Sequence, residues 1–190
     1  MVMATVIPSA QEYLQAQNIS GWLLYDFRGM NSIFRETIGI IPNVTRPCWL
    51  WIPAIGEPRI LASYVDQGRF IKFGIATTLF VNRTEMITKL HDILEGVTCV
   101  AMEYSPRGGL PAASKVDGGT LEQVRSLGVR VVSSADIFQY ATQRWSDHQL
   151  QSHLTASHKL TAIVKEAFGY IGENVGSGTT EYDVAQFIRR

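Results

Sequence analysis

The stretch "GWLLYDFRGMN", residues 21–31, is the starting point for the fold. Residues 21–27 form a continuous apolar run bounded by Gly21 on one side and by Arg28-Gly29 on the other. An apolar run of this length between turn residues is typical of a buried strand. The polar residues that follow the run lie in a loop at the carboxyl end of that predicted strand.

Strands and helices are predicted to alternate along the chain on both sides of this run. The further predicted strands are residues 46–53, 59–63, 77–82, 97–103 and 129–132. The first two of these are separated by "AIGEP" and are predicted to form a hairpin. The predicted helices are a short one opened by a capping box at Ser9 and Glu12, one over residues 84–95, one opened by a capping box at Thr120 and Gln123, and one capped by Ser134. Residues 65–73 are ambiguous and weakly favour helix.

The alternation indicates an α/β domain with a mixed sheet flanked by helices, over residues 1–145. From residue 146 the pattern changes. Ser146 and Gln149 form another capping box, and an amphipathic helix follows for more than six turns. A second helix, with Thr180 as its N-cap, opens the closing stretch "GTTEYDVAQFIRR", residues 178–190. Two helices cannot enclose a core, so residues 146–190 are predicted to be the first helices of an incomplete domain.

The last helix leads to a structural expectation. Val184, Phe187 and Ile188 form an apolar stripe with no partner further along the sequence. We expect these side chains to be disordered, packed on the long helix or buried against another chain. We also expect Arg190 to be a boundary within a longer protein rather than a natural terminus.

Composition excludes several classes of function. The chain has 190 residues, with 17 basic and 17 acidic side chains and 46% hydrophobic residues, so we expect a folded core and no nucleic-acid partner. The first fifteen residues lack the features of a signal peptide, and no apolar run is long enough to span a membrane. We therefore expect a cytoplasmic protein with no membrane partner, in which Cys48 and Cys99 are buried thiols.

Two loops are candidates for ligand contact. Asp26, Arg28 and Asn31 follow the buried strand at its carboxyl end, where open α/β sheets place ligands. Tyr104 and Arg107 follow the strand at 97–103 in the same way. The alternative is ordinary loop chemistry, in which Asp26 and Asn31 cap turns and Arg28 is solvated. No catalytic residue and no metal ligand is predicted in the chain itself.

The segments quoted above, with "MEYSP" (102–106), "KVDGGT" (115–120) and "VVSSADIFQYATQRWSDHQLQSHLTASHKL" (131–160), resemble the prolidase, aminopeptidase P and creatinase family. The resemblance covers essentially the whole chain. It implies an N-terminal α/β domain followed by the start of a "pita-bread" catalytic domain. The implied function is that of the dimerisation and substrate-access domain of an Xaa-Pro dipeptidase or aminopeptidase, a metallopeptidase that cleaves next to proline.

The resemblance also implies a cofactor and partners. Family catalysis uses two divalent metal ions, often manganese, bound by two Asp, one His and two Glu from the catalytic domain. None of these five ligands has a counterpart in residues 1–190, so the resemblance implies no metal in this chain and no activity of the chain alone. It implies a homodimer and a proline-containing peptide as the substrate of the full-length enzyme, with Arg28 or its neighbours near a substrate carboxylate.

Two other functions stay open at this point. One is a peptidase-derived module that binds peptides or proteins without cleaving them. The other is creatine-type amidinohydrolase chemistry, which shares the fold. The coding sequence beyond Arg190 separates the enzyme from the binding module, and substrate assays on the complete protein separate the two enzymes.

Overall fold

Six strands form one mixed sheet at the centre of the first of two compact units. The computed structural model describes residues 3–41 and 44–190, and the chain divides into units Met1–Arg144 and Trp145–Arg190. The strands are β1 (Gly21–Phe27), β2 (Pro47–Pro53), β3 (Arg59–Ser63), β4 (Ala76–Phe80), β5 (Cys99–Met102) and β6 (Arg130–Ser133). Their order in the sheet is β4-β3-β2-β1-β5-β6. The predicted mixed α/β architecture is therefore confirmed.

The direction of the strands places most of the loops that follow them at one edge of the sheet. β2 runs antiparallel to both β1 and β3, which confirms the predicted hairpin, and the remaining neighbours are parallel. Five strands therefore end at the same edge, which we call the carboxyl edge, and only β2 ends at the other. The loops after β1 and β5 are neighbours there because these two strands are adjacent and parallel.

Seven helices occur in the described part of the chain. They are α1 (Met3–Ala16), α2 (Ser32–Ile38), α3 (Arg83–Ile93), α4 (Gly118–Ser126), α5 (Ala135–Thr142), α6 (Asp147–Asn174) and α7 (Glu181–Ile188). Short 3₁₀ helices lie at Tyr64–Arg69, Ile71–Phe73, Pro106–Gly108 and Pro111–Ala113. The ambiguous segment 65–73 is thus two 3₁₀ helices. None of the helices among the described residues has the length and apolar character needed to cross a membrane.

Alternate residues of each strand point to opposite sides of the sheet. Apolar side chains therefore lie on both faces, and helices cover both. Trp22 and Leu24 of β1 pack on one face with residues of α1, α2 and α5. Leu23 of β1 packs on the other face with Trp49 and residues of α3 and α4. A strand that is buried on both faces must be apolar along its whole length, which is why β1 reads as an uninterrupted apolar run.

Two predicted helix starts are wrong. α1 begins at Met3 and continues through Pro8, so Ser9 is not its N-cap. The burial of Ile7 and Ala10 on either side of Pro8 stabilises a helix that local sequence preference would begin later. α4 is capped by Asp117, whose carboxylate accepts a hydrogen bond from the Thr120 amide, so Thr120 lies inside the helix. α2 was not predicted at all.

The second unit consists of α6 and α7. The predicted capping box at Ser146 and Gln149 is confirmed, with both of its reciprocal hydrogen bonds present. Thr180 and Asp183 form the same arrangement at the start of α7. The ring of Phe187 stacks on Tyr170 of α6 with centroids 4.5 Å apart, which confirms that this part of the last apolar stripe packs on the long helix. Ile188 remains 46% exposed.

Gly21 provides a test of the packing around β1. An added Cβ would lie 2.2 Å from the Trp51 ring and 2.7 Å from the Ile52 carbonyl oxygen. Because the backbone oxygen cannot move away, we expect Gly21→Ala to lower the free energy of unfolding by about 1–3 kcal/mol in urea denaturation. Gly68→Ala is the matched control, since nothing lies within 4 Å of the position that its added Cβ would take. Equal stability of the two variants would contradict the close approach at Gly21.

Candidate functional site

A buried carboxyl group lies at the centre of the carboxyl edge. Glu103 directly follows β5 and is 0% exposed. Its Oε1 accepts hydrogen bonds from the Trp22 indole at 2.6 Å and from the Ser134 hydroxyl at 3.3 Å. Its Oε2 accepts from the Asn31 amide at 3.0 Å and from the Tyr25 backbone N–H at 3.4 Å. One carboxyl group therefore joins β1, β5, the start of α2 and the start of α5.

The surroundings of Glu103 change its acidity. Burial raises the pKa of Glu103 to about 7, and the hydrogen bonds from Trp22, Tyr25, Asn31 and Ser134 oppose that rise. Among the described residues, no basic side chain forms an ion pair with Glu103. The cost of burying the charge is therefore offset only by neutral donors, which is why the burial effect prevails.

The turn between β1 and α2 is ordered by Asp26 and Asn31. The two carboxylate oxygens of Asp26 accept hydrogen bonds from the backbone N–H groups of Gly29 and Asn31, both at 2.7 Å. Asn31 is the N-cap of α2 and accepts from the Phe34 N–H at 3.1 Å, while its amide donates to the Tyr25 carbonyl at 2.7 Å. Asp26 and Asn31 are each 2% exposed, so their polar atoms serve the turn itself.

Two Arg-Gly pairs lie in the loops that follow the adjacent strands β1 and β5. Arg28 and Gly29 have φ angles of 60° and 73°, and Arg107 and Gly108 have φ angles of 55° and 68°. Positive φ is uncommon for a residue with a side chain. Both arginine side chains are exposed, and neither forms an ion pair with another described residue.

Tyr104 fixes the base of the second loop. Its hydroxyl donates to the Val131 carbonyl at 3.2 Å, and the Arg125 guanidinium lies 5.4 Å from the centroid of its ring. The backbone N–H groups of Lys115 and Val116 both donate to the Glu103 carbonyl, at 2.9 and 3.0 Å. The loop from Glu103 to Val116 is therefore closed at its base and exposed at its tip.

The structure brings the two predicted loops together through the Asn31–Glu103 hydrogen bond. Asp26 and Asn31 are the buried part of this arrangement, whereas Arg28 and Arg107 are its exposed part and Tyr104 is half-buried. Sequence reasoning missed Glu103, Trp22 and Ser134. The one available signal was an acidic residue at the end of the apolar run "VTCVAME", where a buried charge needs partners from elsewhere in the chain.

Two further features lie near this edge. A cavity of about 260 Å³ is lined mainly by apolar side chains, among them Ile33, Leu110 and Phe138, and also by Asp136. Burial, together with the nearby carboxylates of Asp26 and Asp66, raises the pKa of the Cys48 thiol well above its usual value. Cys48 and Cys99 are both free and buried, and a thiol with a raised pKa is a poor nucleophile.

The residues that the structure describes do not form a set of metal ligands. Within residues 3–41 and 44–190, no group of three or more His, Cys, Asp or Glu side chains is arranged to hold one. The buried carboxylates of Asp26 and Glu103 are each engaged by donors from the protein. The donor set of the carboxyl edge therefore does not fit a pair of divalent ions.

Comparison with solved structures identifies the fold. No protein-family model matches the sequence, and a search of curated proteins found no match. Dipeptidase PepE from Mycobacterium ulcerans superposes with a TM-score of 0.59 and 18% identity, over 98% of this chain and 48% of its own. A prolidase from Thermococcus sibiricus superposes with a TM-score of 0.60 and 13% identity, over 99% of this chain and 48% of its own.

An isolated domain superposes as well. The creatinase/prolidase N-terminal domain of an X-Pro dipeptidase from Streptococcus pyogenes gives a TM-score of 0.55 and 10% identity, over 72% of this chain and 98% of its own. The chain thus has the fold of that domain, which confirms the resemblance at the level of fold. It spans about half the length of the whole dipeptidases and prolidases that it matches.

The raised pKa of Glu103 predicts how stability depends on pH. A carboxyl group with a raised folded pKa stabilises the fold below its unfolded pKa, and this contribution is lost as pH rises through the folded value of about 7. Relative to Glu103→Gln, we expect the free energy of unfolding to fall by about 2 kcal/mol between about pH 5 and about pH 8.

Urea denaturation at a series of pH values measures this slope. Glu122→Gln removes an exposed carboxylate on α4 and is the matched control, which should follow the unmodified chain. Parallel curves for the unmodified chain and Glu103→Gln would show that Glu103 does not titrate in this range. A pH-independent difference in stability adds to this difference in slope, because glutamine presents an N–H₂ group to donors.

Proposed function

We propose that this chain is the N-terminal part of an Xaa-Pro dipeptidase or aminopeptidase, a metallopeptidase that cleaves peptide bonds next to proline. The observation that carries the proposal is the extent of the structural match. Whole dipeptidases and prolidases superpose on 96–99% of the chain, including the two helices of the second unit, and not only on its α/β domain. Residues 146–190 are then the first helices of a pita-bread catalytic domain.

The α/β unit serves dimerisation and substrate access in this proposal. Its exposed arginines, Arg28 and Arg107, lie on two loops that are joined beneath the surface by Asn31 and Glu103. An arginine guanidinium suits a carboxylate because it can donate two parallel hydrogen bonds. Asp26, Asn31 and Tyr104 hold these loops in place. The two arginines are therefore the substrate-contacting part of this edge, and we call them the substrate rim.

The chemistry of cleavage belongs to residues outside this chain. Two divalent ions, manganese by preference, would activate water and polarise the scissile carbonyl in the full-length enzyme. The described residues offer no site for them, so we derive no catalytic step from this chain. We place the protein in the cytoplasm, where its two unpaired thiols would stay reduced.

A peptide- or protein-binding module without catalysis is the second candidate. The observation in its favour is that the described residues carry two exposed arginines on neighbouring loops but no group of side chains that could hold a metal ion. The coding sequence beyond Arg190 separates the two proposals. A following domain with two Asp, one His and two Glu ligands supports the peptidase, whereas degraded ligands or a stop codon support the module.

The purified 190-residue chain provides a direct test. We expect it to be a homodimer by light scattering and to show no hydrolysis of an Xaa-Pro dipeptide in the presence of Mn²⁺, because the metal ligands are supplied by other residues. Buffer with Mn²⁺ and the dipeptide alone sets the background rate. Turnover above that background would contradict the assignment of catalysis to a separate domain, and a monomer would contradict the dimerisation role.

Arg28 is the residue to change in the full-length enzyme. If its guanidinium contacts a substrate carboxylate, Arg28→Ala should raise KM roughly tenfold, since a hydrogen bond to a charged group contributes about 1.5–3 kcal/mol. Arg130→Ala is the matched control, because Arg130 is an exposed arginine at the opposite edge of the same sheet. An unchanged KM for Arg28→Ala would remove Arg28 from the rim.

A further inference from the structure

The Glu103 carboxyl is fully buried and has no cationic partner among the described residues. Removing a carboxylate from water favours its neutral form unless a positive charge compensates. The structural role of Glu103, which joins four neighbours by hydrogen bonds, does not require it to be ionised at all times. Its neighbours decide which forms it can adopt.

Only one of the four neighbours can accept a hydrogen bond from a protonated Glu103. The Trp22 indole, the Asn31 amide nitrogen and the Tyr25 backbone N–H can only donate. The Ser134 hydroxyl can either donate or accept, and it makes no capping bond to α5 that would fix its orientation. A protonated Glu103 therefore carries its proton on Oε1, directed at the Ser134 oxygen, while Oε2 continues to accept from Asn31 and Tyr25.

The turn between β1 and α2 lies directly against this carboxyl group. Asn31 covers Oε2, whereas the residue before it, Met30, is 68% exposed. Trp22 and Tyr25 belong to the central strand β1, and Ser134 is fully buried at the start of α5. Displacement of the turn over residues 28–31 would remove the Asn31 amide from Oε2 and open that oxygen to water.

The other charged groups of this region do not provide a compensating charge. The elements in contact with Glu103 carry the following titratable or charged residues: Tyr25, Asp26, Arg28, Arg35, Glu36, Cys99, Tyr104, Arg107, Lys115, Asp136 and Tyr140. Asp26 is the buried acid among them, and the backbone N–H groups of the turn engage both of its oxygens. The basic residues of the set are exposed.

We propose that Glu103 is a pH-dependent latch on the β1–α2 turn: a proton shared with Ser134 keeps the turn closed, and loss of that proton favours opening of the turn and hydration of the carboxylate. The latch depends on contacts within the described α/β unit and not on the proposed peptidase activity. It gives the turn that carries Arg28 a mobility that increases with pH.

The direction follows from linkage. Burial raises the pKa of Glu103 to about 7 in the closed turn, whereas a hydrated carboxyl group returns towards its ordinary value. The open turn therefore binds fewer protons than the closed turn at intermediate pH. A rise in pH must then shift the equilibrium towards the open turn.

Amide hydrogen exchange in the 190-residue chain tests the latch. The reporters are the N–H groups of Gly29 and Asn31, both bonded to Asp26 within the turn. After correction for intrinsic exchange, we expect their protection to fall on the order of tenfold between about pH 5.5 and about pH 7.5. In Glu103→Gln the protection should not change with pH. The histidines are common to both proteins, so their titration cancels in this comparison.

A second measurement keeps the test valid if Glu103→Gln does not fold. The carboxyl carbon of Glu103 in the unmodified chain, followed by NMR, should titrate with a midpoint near neutral pH. A midpoint in the range of ordinary glutamates would overturn the proposal. So would a midpoint near neutral pH accompanied by pH-independent protection of Gly29 and Asn31, because titration without opening is not a latch.

Discussion

The carboxyl edge of the sheet depends on the hydrogen bonds that converge on Glu103. Its two oxygens accept from β1, from the N-cap residue of α2 and from the residue that precedes α5, while its backbone carbonyl closes the loop at Lys115 and Val116. These buried hydrogen bonds therefore hold the two loops that carry the exposed arginines. Arg28 belongs to the turn that Asn31 anchors. Arg107 belongs to the loop from Glu103 to Val116, which is closed by hydrogen bonds to the Glu103 carbonyl.

Most of the sheet was predictable because its four inner strands, β3, β2, β1 and β5, are buried on both faces. Burial of this kind requires unbroken apolar runs, and Gly and Pro mark the turns between them. The start of α1 was not predictable because packing on the sheet overrides the local signals at Pro8 and Ser9. α2 escaped prediction because it has seven residues, too few to show a helical period.

The candidate site was only partly predictable, for a different reason. The loops after β1 and β5 could be placed at one edge from strand order alone, and the sequence offered Asp26, Arg28, Asn31, Tyr104 and Arg107. A polar residue after a strand can face solvent or order its own turn, and sequence does not separate these roles. The partners of Glu103 lie 31 to 81 residues away in the chain, so no local pattern reveals them.

An apolar residue could not replace Glu103 without leaving four donors unpaired. The Trp22 indole, the Asn31 amide, the Ser134 hydroxyl and the Tyr25 N–H all point at one buried place, and each unsatisfied donor there would cost about 1–3 kcal/mol. A carboxyl group provides two acceptor oxygens on one side chain and fits this arrangement. Its ionisation is then costly because no cation accompanies it. The same convergence that joins four elements thus makes their junction sensitive to pH near neutrality.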